Sequence, residues 1–177
     1  MEHSIIFIKE LFFQADYSIF IKLLFACLLG GIIGLEREIK RKPVGIKTCI
    51  IIAVTTCLLT IVSIKSAEYY ASLSENIRTD PMRLAAQVIS GIGFIGTGVI
   101  MRKTNDVISG ITTASMIWAA AGIGISVGAG FIYSVIIMTL IILFILRFSP
   151  KLASHLHKQE RINKLSIKLE IDNIAIL

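Results

Sequence analysis

Four glycines fall within eight residues, Gly91, Gly93, Gly96 and Gly98, in the run GIGFIGTG. The first six residues match G-x-G-x-x-G, a spacing that can cradle a dinucleotide pyrophosphate. That chemistry needs a strand before the glycines, a helix opening at them, and an acid about 20 residues further on. Here PMRLAAQVIS precedes them and reads as helix, while ITTASMIW follows at the required distance and carries no acid. The 18 residues from Leu84 to Met101 also hold no charge, which is close to hydrocarbon length. A soluble nucleotide does not reach such a segment, so the phosphate reading fails.

Other groups with chemical potential sit at the ends of apolar runs. GLERE, Gly34 to Glu38, gathers Glu36, Arg37 and Glu38, which can pair with Lys40 to Lys42 or with Arg102 and Lys103. Exposed pairs of this kind contribute only about 0–1 kcal/mol. In DPMR, Asp80 suits a helix N-cap and Pro81 the first helical position. Asp80 with Arg83 is also a candidate charged site on the extracytoplasmic side. The polar groups within the apolar runs are Gln87, Ser90, Thr97, Thr112, Thr113 and Ser115, with Thr55, Thr56 and Thr60 earlier in the chain. Hydroxyls there commonly bond their own backbone or a neighbouring helix. Gln87, Thr112, Thr113 and Trp118 join the polar candidates. No Asp or Glu lies deep in a run, although carboxylates usually mark cation paths in membranes and magnesium sites. Cys27, Cys49 and Cys57 read as small apolar core residues. His155 and His157, at i and i+2, do not face each other on a helix. With no nucleophile, base and orienter together, the sequence predicts no catalytic residue, no metal ligand, no cofactor and no enzyme.

The elements that position these groups follow from charge patterning. The chain is 55% hydrophobic and 17% charged, against about 25% charged in ordinary soluble domains. Uncharged runs cover 17 residues from Thr48 to Ile64 and 40 from Val107 to Leu146. A membrane span needs about 20 mainly apolar residues, so the chain is predicted to be an all-α integral membrane protein. Five spans fit, forming a compact bundle: residues 17–35, 45–64, 81–101, 107–127 and 131–147. The break between the last two is GAG, Gly128 to Gly130, which suits a tight turn. The transmembrane domain is thus residues 17–147. Residues 1–16 are an extracytoplasmic segment that resembles an interfacial helix rather than a cleaved signal, since they lack a basic start and a small-residue cleavage site.

Lys and Arg placement sets the orientation. The loops after spans one and three and the tail carry 13 of them, and the opposite side carries five. The N-terminus is therefore expected outside and the C-terminus in the cytoplasm. The net charge of +6 needs no nucleic acid, because basic cytoplasmic edges also meet anionic lipid head groups. Residues 148–177 form a basic tail in which LSIKLEID alternates with period two, a strand signal. That strand must pair with a partner or open a soluble domain.

Small residues recur at helical spacing. Ala86, Ser90, Gly93 and Thr97 fall on one face of the third span; Ala26, Gly30 and Gly34 do so on the first, and Ala120, Gly124 and Gly128 on the fourth. In lipid, such ribbons let helix backbones approach closely. Glycines also weaken a helix, each by about 0.8–1 kcal/mol relative to Ala. The third span is therefore either a close-packed helix or a helix broken at membrane depth, the arrangement transporters use. The helix-packing or partner interface is assigned to Gly30, Gly34, Ala86, Ser90, Gly91, Gly93, Gly96, Thr97, Gly98 and Gly124.

GGIIGLERE (Gly30 to Glu38), DPMRLAAQVISGIGFIGTGVIMR (Asp80 to Arg102) and SGITTASMIWAAAGIGISVGAG (Ser109 to Gly130) resemble the MgtC/SapB family of bacterial membrane proteins over residues 17–147. Ile95 and Thr97 depart from the family's usual Gly-Phe-Leu-Gly-Ala-Gly. Some members carry Asn at the position of Thr112 and Cys at that of Ala119. The resemblance implies a five-span inner or plasma membrane protein, often followed by a small ACT-like domain, of which the tail would be the start. It implies a regulator that supports growth under magnesium limitation and virulence inside phagocytes. Such a regulator binds and modulates other membrane proteins, such as the ATP synthase or cation transport ATPases. The alternative is a magnesium, ion or small-solute transporter or channel with a broken third span. The bilayer, other membrane proteins and a second copy of the chain are the expected partners.

Overall fold

The computed structural model describes residues 17–73, 78–102 and 108–149. The expected N-terminal interfacial helix and the strand-like tail lie outside them. Among the described residues five helices follow one another: α1 (Tyr17–Ile39), α2 (Ile46–Leu73), α3 (Arg83–Val99), α4 (Ile111–Gly128) and α5 (Ile132–Ser149). Between α3 and α4, β1 (Met101–Arg102) pairs antiparallel with β2 (Ile108–Ser109). By length and composition, α1, α2, α4 and α5 can each cross a membrane.

The third expected span is a shorter helix. The 17 residues of α3 rise about 26 Å, less than the roughly 30 Å of a hydrocarbon core. Both ends are trimmed by local bonding. The Asp80 carboxylate accepts from the Met82 N–H at 2.9 Å, and the Arg83 N–H donates to the Asp80 carbonyl at 3.3 Å. Asp80 therefore closes a turn and Met82 takes the N-cap, so Pro81 is not the first helical residue. At the other end Ile100 turns extended and leads into β1. The fourth helix starts later than expected, because β2 occupies Ile108–Ser109 and Gly110 then adopts φ +96°. A Cβ on Gly110 would overlap the Val99 carbonyl, so the close approach and the left-handed backbone both select glycine.

The chain falls into two compact units, residues 1–139 and 140–177. In the first, α2 and α4 are central: α1 packs on both, and α3 lies along α4 with a lesser contact to α2. Small side chains set these distances. A Cβ on Gly30 would stand 2.8 Å from the Ala53 Cβ and 2.9 Å from the Cys49 carbonyl oxygen. On Gly34 it would stand 2.5 Å from the Ile46 Cα. The α4 glycines meet α2 likewise, Gly124 at Ala53 and Thr56, and Gly128 at Cys57 and Thr60. Ala26, Cys49, Ala53, Cys57, Thr60, Ala120, Ala121 and Ile123 are fully buried. Hydroxyls return to helix carbonyls: Thr60 donates to Thr56 at 2.8 Å and Thr139 to Val135 at 2.8 Å, while Thr56 reaches the carbonyls of Ala53 and Ala121, both at 3.2 Å. Lys22 Nζ donates to the Gly128 carbonyl at 3.0 Å, placing a cation at the negative end of α4. The GAG turn closes through Phe131 N–H to Ser126 at 2.9 Å, with Gly130 at φ +91°. In the second unit, the rings of Phe144 and Phe148 stack with centroids 4.3 Å apart.

Candidate functional site

α3 is one uninterrupted helix through Gly91, Gly93, Gly96 and Gly98. The break that a transporter-like third span requires is not there. Ile92 packs with Ile117 and Ala121 of α4 in a buried cluster, and Gly96 is also buried, where an added Cβ would meet the Ala114 Cβ at an ordinary 3.6 Å. Ala85 is the third buried residue of α3.

The rest of the glycine run faces outward. Ala86, Ser90, Gly93 and Thr97, the small-residue stripe, are all exposed, as are Gln87, Gly91 and Gly98 beside them. A Cβ on Gly91, Gly93 or Gly98 would meet nothing within 4 Å. Phe94, in the middle of this surface, is 84% exposed. The Thr97 hydroxyl donates to the Phe94 carbonyl at 2.8 Å, back onto its own helix. Gly30, Gly34, Gly124 and Gly128 therefore fill interhelical contacts of this chain, whereas three of the four glycines on α3 face open space.

A second group of candidates gathers where α1 ends. Arg37 lies on the same face as Ile33 and Gly34 and is only 4% exposed. Its Nη2 donates to the Thr113 hydroxyl at 3.1 Å, across from α1 to the first turn of α4, and its Nε has no partner among the described residues. Glu36 pairs with Lys40 at 2.5 Å. Glu38 accepts the Ile46 N–H at 3.1 Å and so caps α2. Thr112 and Trp118 are exposed on α4. The side chain of Arg102 lies outside the description. Asp80 and Arg83 sit together at the far end of α3, beside the end of α2. Sequence reasoning did not anticipate the bond from Arg37 to Thr113. The signal was present, since Arg37 continues the ribbon of Gly30 and Gly34 by one helical step.

A model of the MgtC family matches residues 23–155, nearly all of the helical segment. The chain belongs to the MgtC family. Three relatives show the reach of the likeness. An uncharacterised protein of Haemophilus influenzae Rd is 60% identical over 94% of this chain and 71% of its own. SapB of Bacillus subtilis 168 is 56% identical over 76% of this chain and 58% of its own. YhiD of Escherichia coli K12, whose name gives it a provisional role as a magnesium transporter, is 39% identical over 62% of this chain and 50% of its own. The chain thus spans little more than half the length of SapB and half that of YhiD. No solved structure matches it. As an MgtC-family chain with four helices long and apolar enough to cross a bilayer, it is a membrane protein.

Proposed function

We propose that this chain is a multi-pass regulator in the bacterial inner or plasma membrane, with its N-terminus outside and its C-terminus in the cytoplasm. It acts by seating a helix of another membrane protein against the open face of α3. The observation that carries this is the contrast among glycines. Gly30 and Gly34 of α1 and Gly124 and Gly128 of α4 are met by backbone of their own chain, while Gly91, Gly93 and Gly98 meet nothing within 4 Å. Each costs a helix about 0.8–1 kcal/mol relative to Ala, and small-residue faces are where membrane helices approach closely. The resemblance supplies the partner class, the ATP synthase or a cation transport ATPase. It also supplies the setting, growth under magnesium limitation and survival inside host cells. Neither role calls for a catalytic residue or a cofactor.

The test is co-purification from native membranes. The wild-type chain should retain a second membrane protein, and the triple variant Gly91→Leu, Gly93→Leu, Gly98→Leu should lose it while keeping its fold. Retention of the same partner by the variant, or no partner with either, sinks the proposal. The name of YhiD favours a second reading, magnesium transport. Purified protein in liposomes should then carry magnesium, and flux equal to that of empty liposomes rules this out. The continuity of α3 supports the first reading, because a transporter of the expected kind would be broken there.

A further inference from the structure

A cavity of about 310 Å³ opens between the end of α2 and the start of α3. Ala67, Leu84 and the ring of Tyr70 give it apolar walls, and Arg78, Asp80 and Arg83 bring charge to it. Several polar groups here are already engaged. Ser63 Oγ accepts the Leu84 N–H at 3.3 Å, the Thr79 hydroxyl donates to the Ala67 carbonyl at 3.0 Å, and Asp80 holds the Met82 N–H. The guanidiniums of Arg78 and Arg83 carry no ion pair or hydrogen bond among the described residues, and neither do the hydroxyls of Ser66 and Tyr70. Two unpaired guanidiniums against one occupied carboxylate leave the cavity positive and rich in donors. Planar guanidinium forks suit phosphate oxygens.

Depth identifies the source of the phosphate. α2 has 28 residues, and a span uses about 20. A helix entering the hydrocarbon near Ile46 leaves it near Lys65, so the residues from Ser66 to Leu73 stand at the head-group level. Tyr69 and Tyr70, both exposed and packed edge to face with centroids 5.5 Å apart, sit in that stretch, where aromatic residues border a bilayer. We propose that this cavity binds the head-group phosphate of an anionic phospholipid. Arg78 and Arg83 grip the phosphate, Ser66 and Tyr70 add donors, and the apolar wall of Ala67 and Leu84 receives the start of the lipid's glycerol and acyl region. The site is separate from the open face of α3 and does not rest on the proposed regulatory role.

The experiment is native mass spectrometry of the purified chain from mixed phosphatidylglycerol and phosphatidylcholine micelles. The expected result is one retained phosphatidylglycerol in preference to phosphatidylcholine. The double variant Arg78→Gln, Arg83→Gln should weaken that preference by about tenfold or more. Ser66→Phe, which fills the cavity at unchanged charge, should also abolish it, separating a built site from general attraction to positive charge. Inorganic phosphate at millimolar concentration should not displace the lipid. Unchanged phosphatidylglycerol retention in either variant overturns the proposal. Displacement by inorganic phosphate alone overturns it too, by making a free anion the ligand.

Discussion

Gly34 and Gly93 both lie within continuous apolar helices, yet an added methyl group meets opposite surroundings at the two positions. At Gly34 it would press on the Ile46 backbone, and at Gly93 it would meet open space. Gly34→Ala should therefore destabilise the fold by about 1–3 kcal/mol through overpacking. Gly93→Ala should stabilise the isolated chain by up to about 1 kcal/mol through helix propensity. Reversible unfolding in detergent reads both, and two shifts of the same sign would contradict the assignment of the two faces. Arg37 allows a sharper test. Removing one partner of a buried charge costs more than removing both. Thr113→Val should destabilise by about 1–3 kcal/mol, and adding Arg37→Met should recover part of the loss. A double variant that is merely additive would show that the 3.1 Å bond carries no coupling.

Individual elements show what the sequence could and could not reveal. Uncharged runs of 17 and 40 residues exposed the apolar helices, since only spans of hydrocarbon length require them. Helix ends were harder to read. Asp80 looked like an N-cap, but its carboxylate reaches Met82, and the helix begins two residues after Pro81. Nothing in a hydropathy pattern encodes that choice of turn. The end of α2 was hidden for the opposite reason: Lys65 and Glu68 look like a loop in an apolarity profile, yet the helix continues through them to Leu73. That overhang forms one wall of the cavity. Between α3 and α4, Gly110 fixes the change of direction. Gly110→Ala combines a left-handed backbone with a Cβ against the Val99 carbonyl and should cost more than Gly130→Ala, where the φ is similar but the space is open. Thermal unfolding of the two variants checks the order.

At the scale of the whole molecule, small-residue spacing was legible in three helices, but its purpose was not. Periodicity places Gly30, Gly124 and Gly93 on helix faces without saying which faces the chain itself covers. The structure separates them: α1 and α4 use their ribbons against α2, and α3 turns its own outward. Family membership, carried by linked motifs over most of the chain, came through the sequence more fully than any single site. The central claim is that the outward face of α3 receives a helix from another membrane protein. Photo-crosslinking in intact membranes tests it most directly, with a probe replacing Thr97 on the stripe and a control probe replacing Tyr133, which is 86% exposed on α5. A defined adduct with a different membrane protein is expected from position 97 and none from position 133. Equal patterns from the two positions, or lipid adducts alone from position 97, would contradict it.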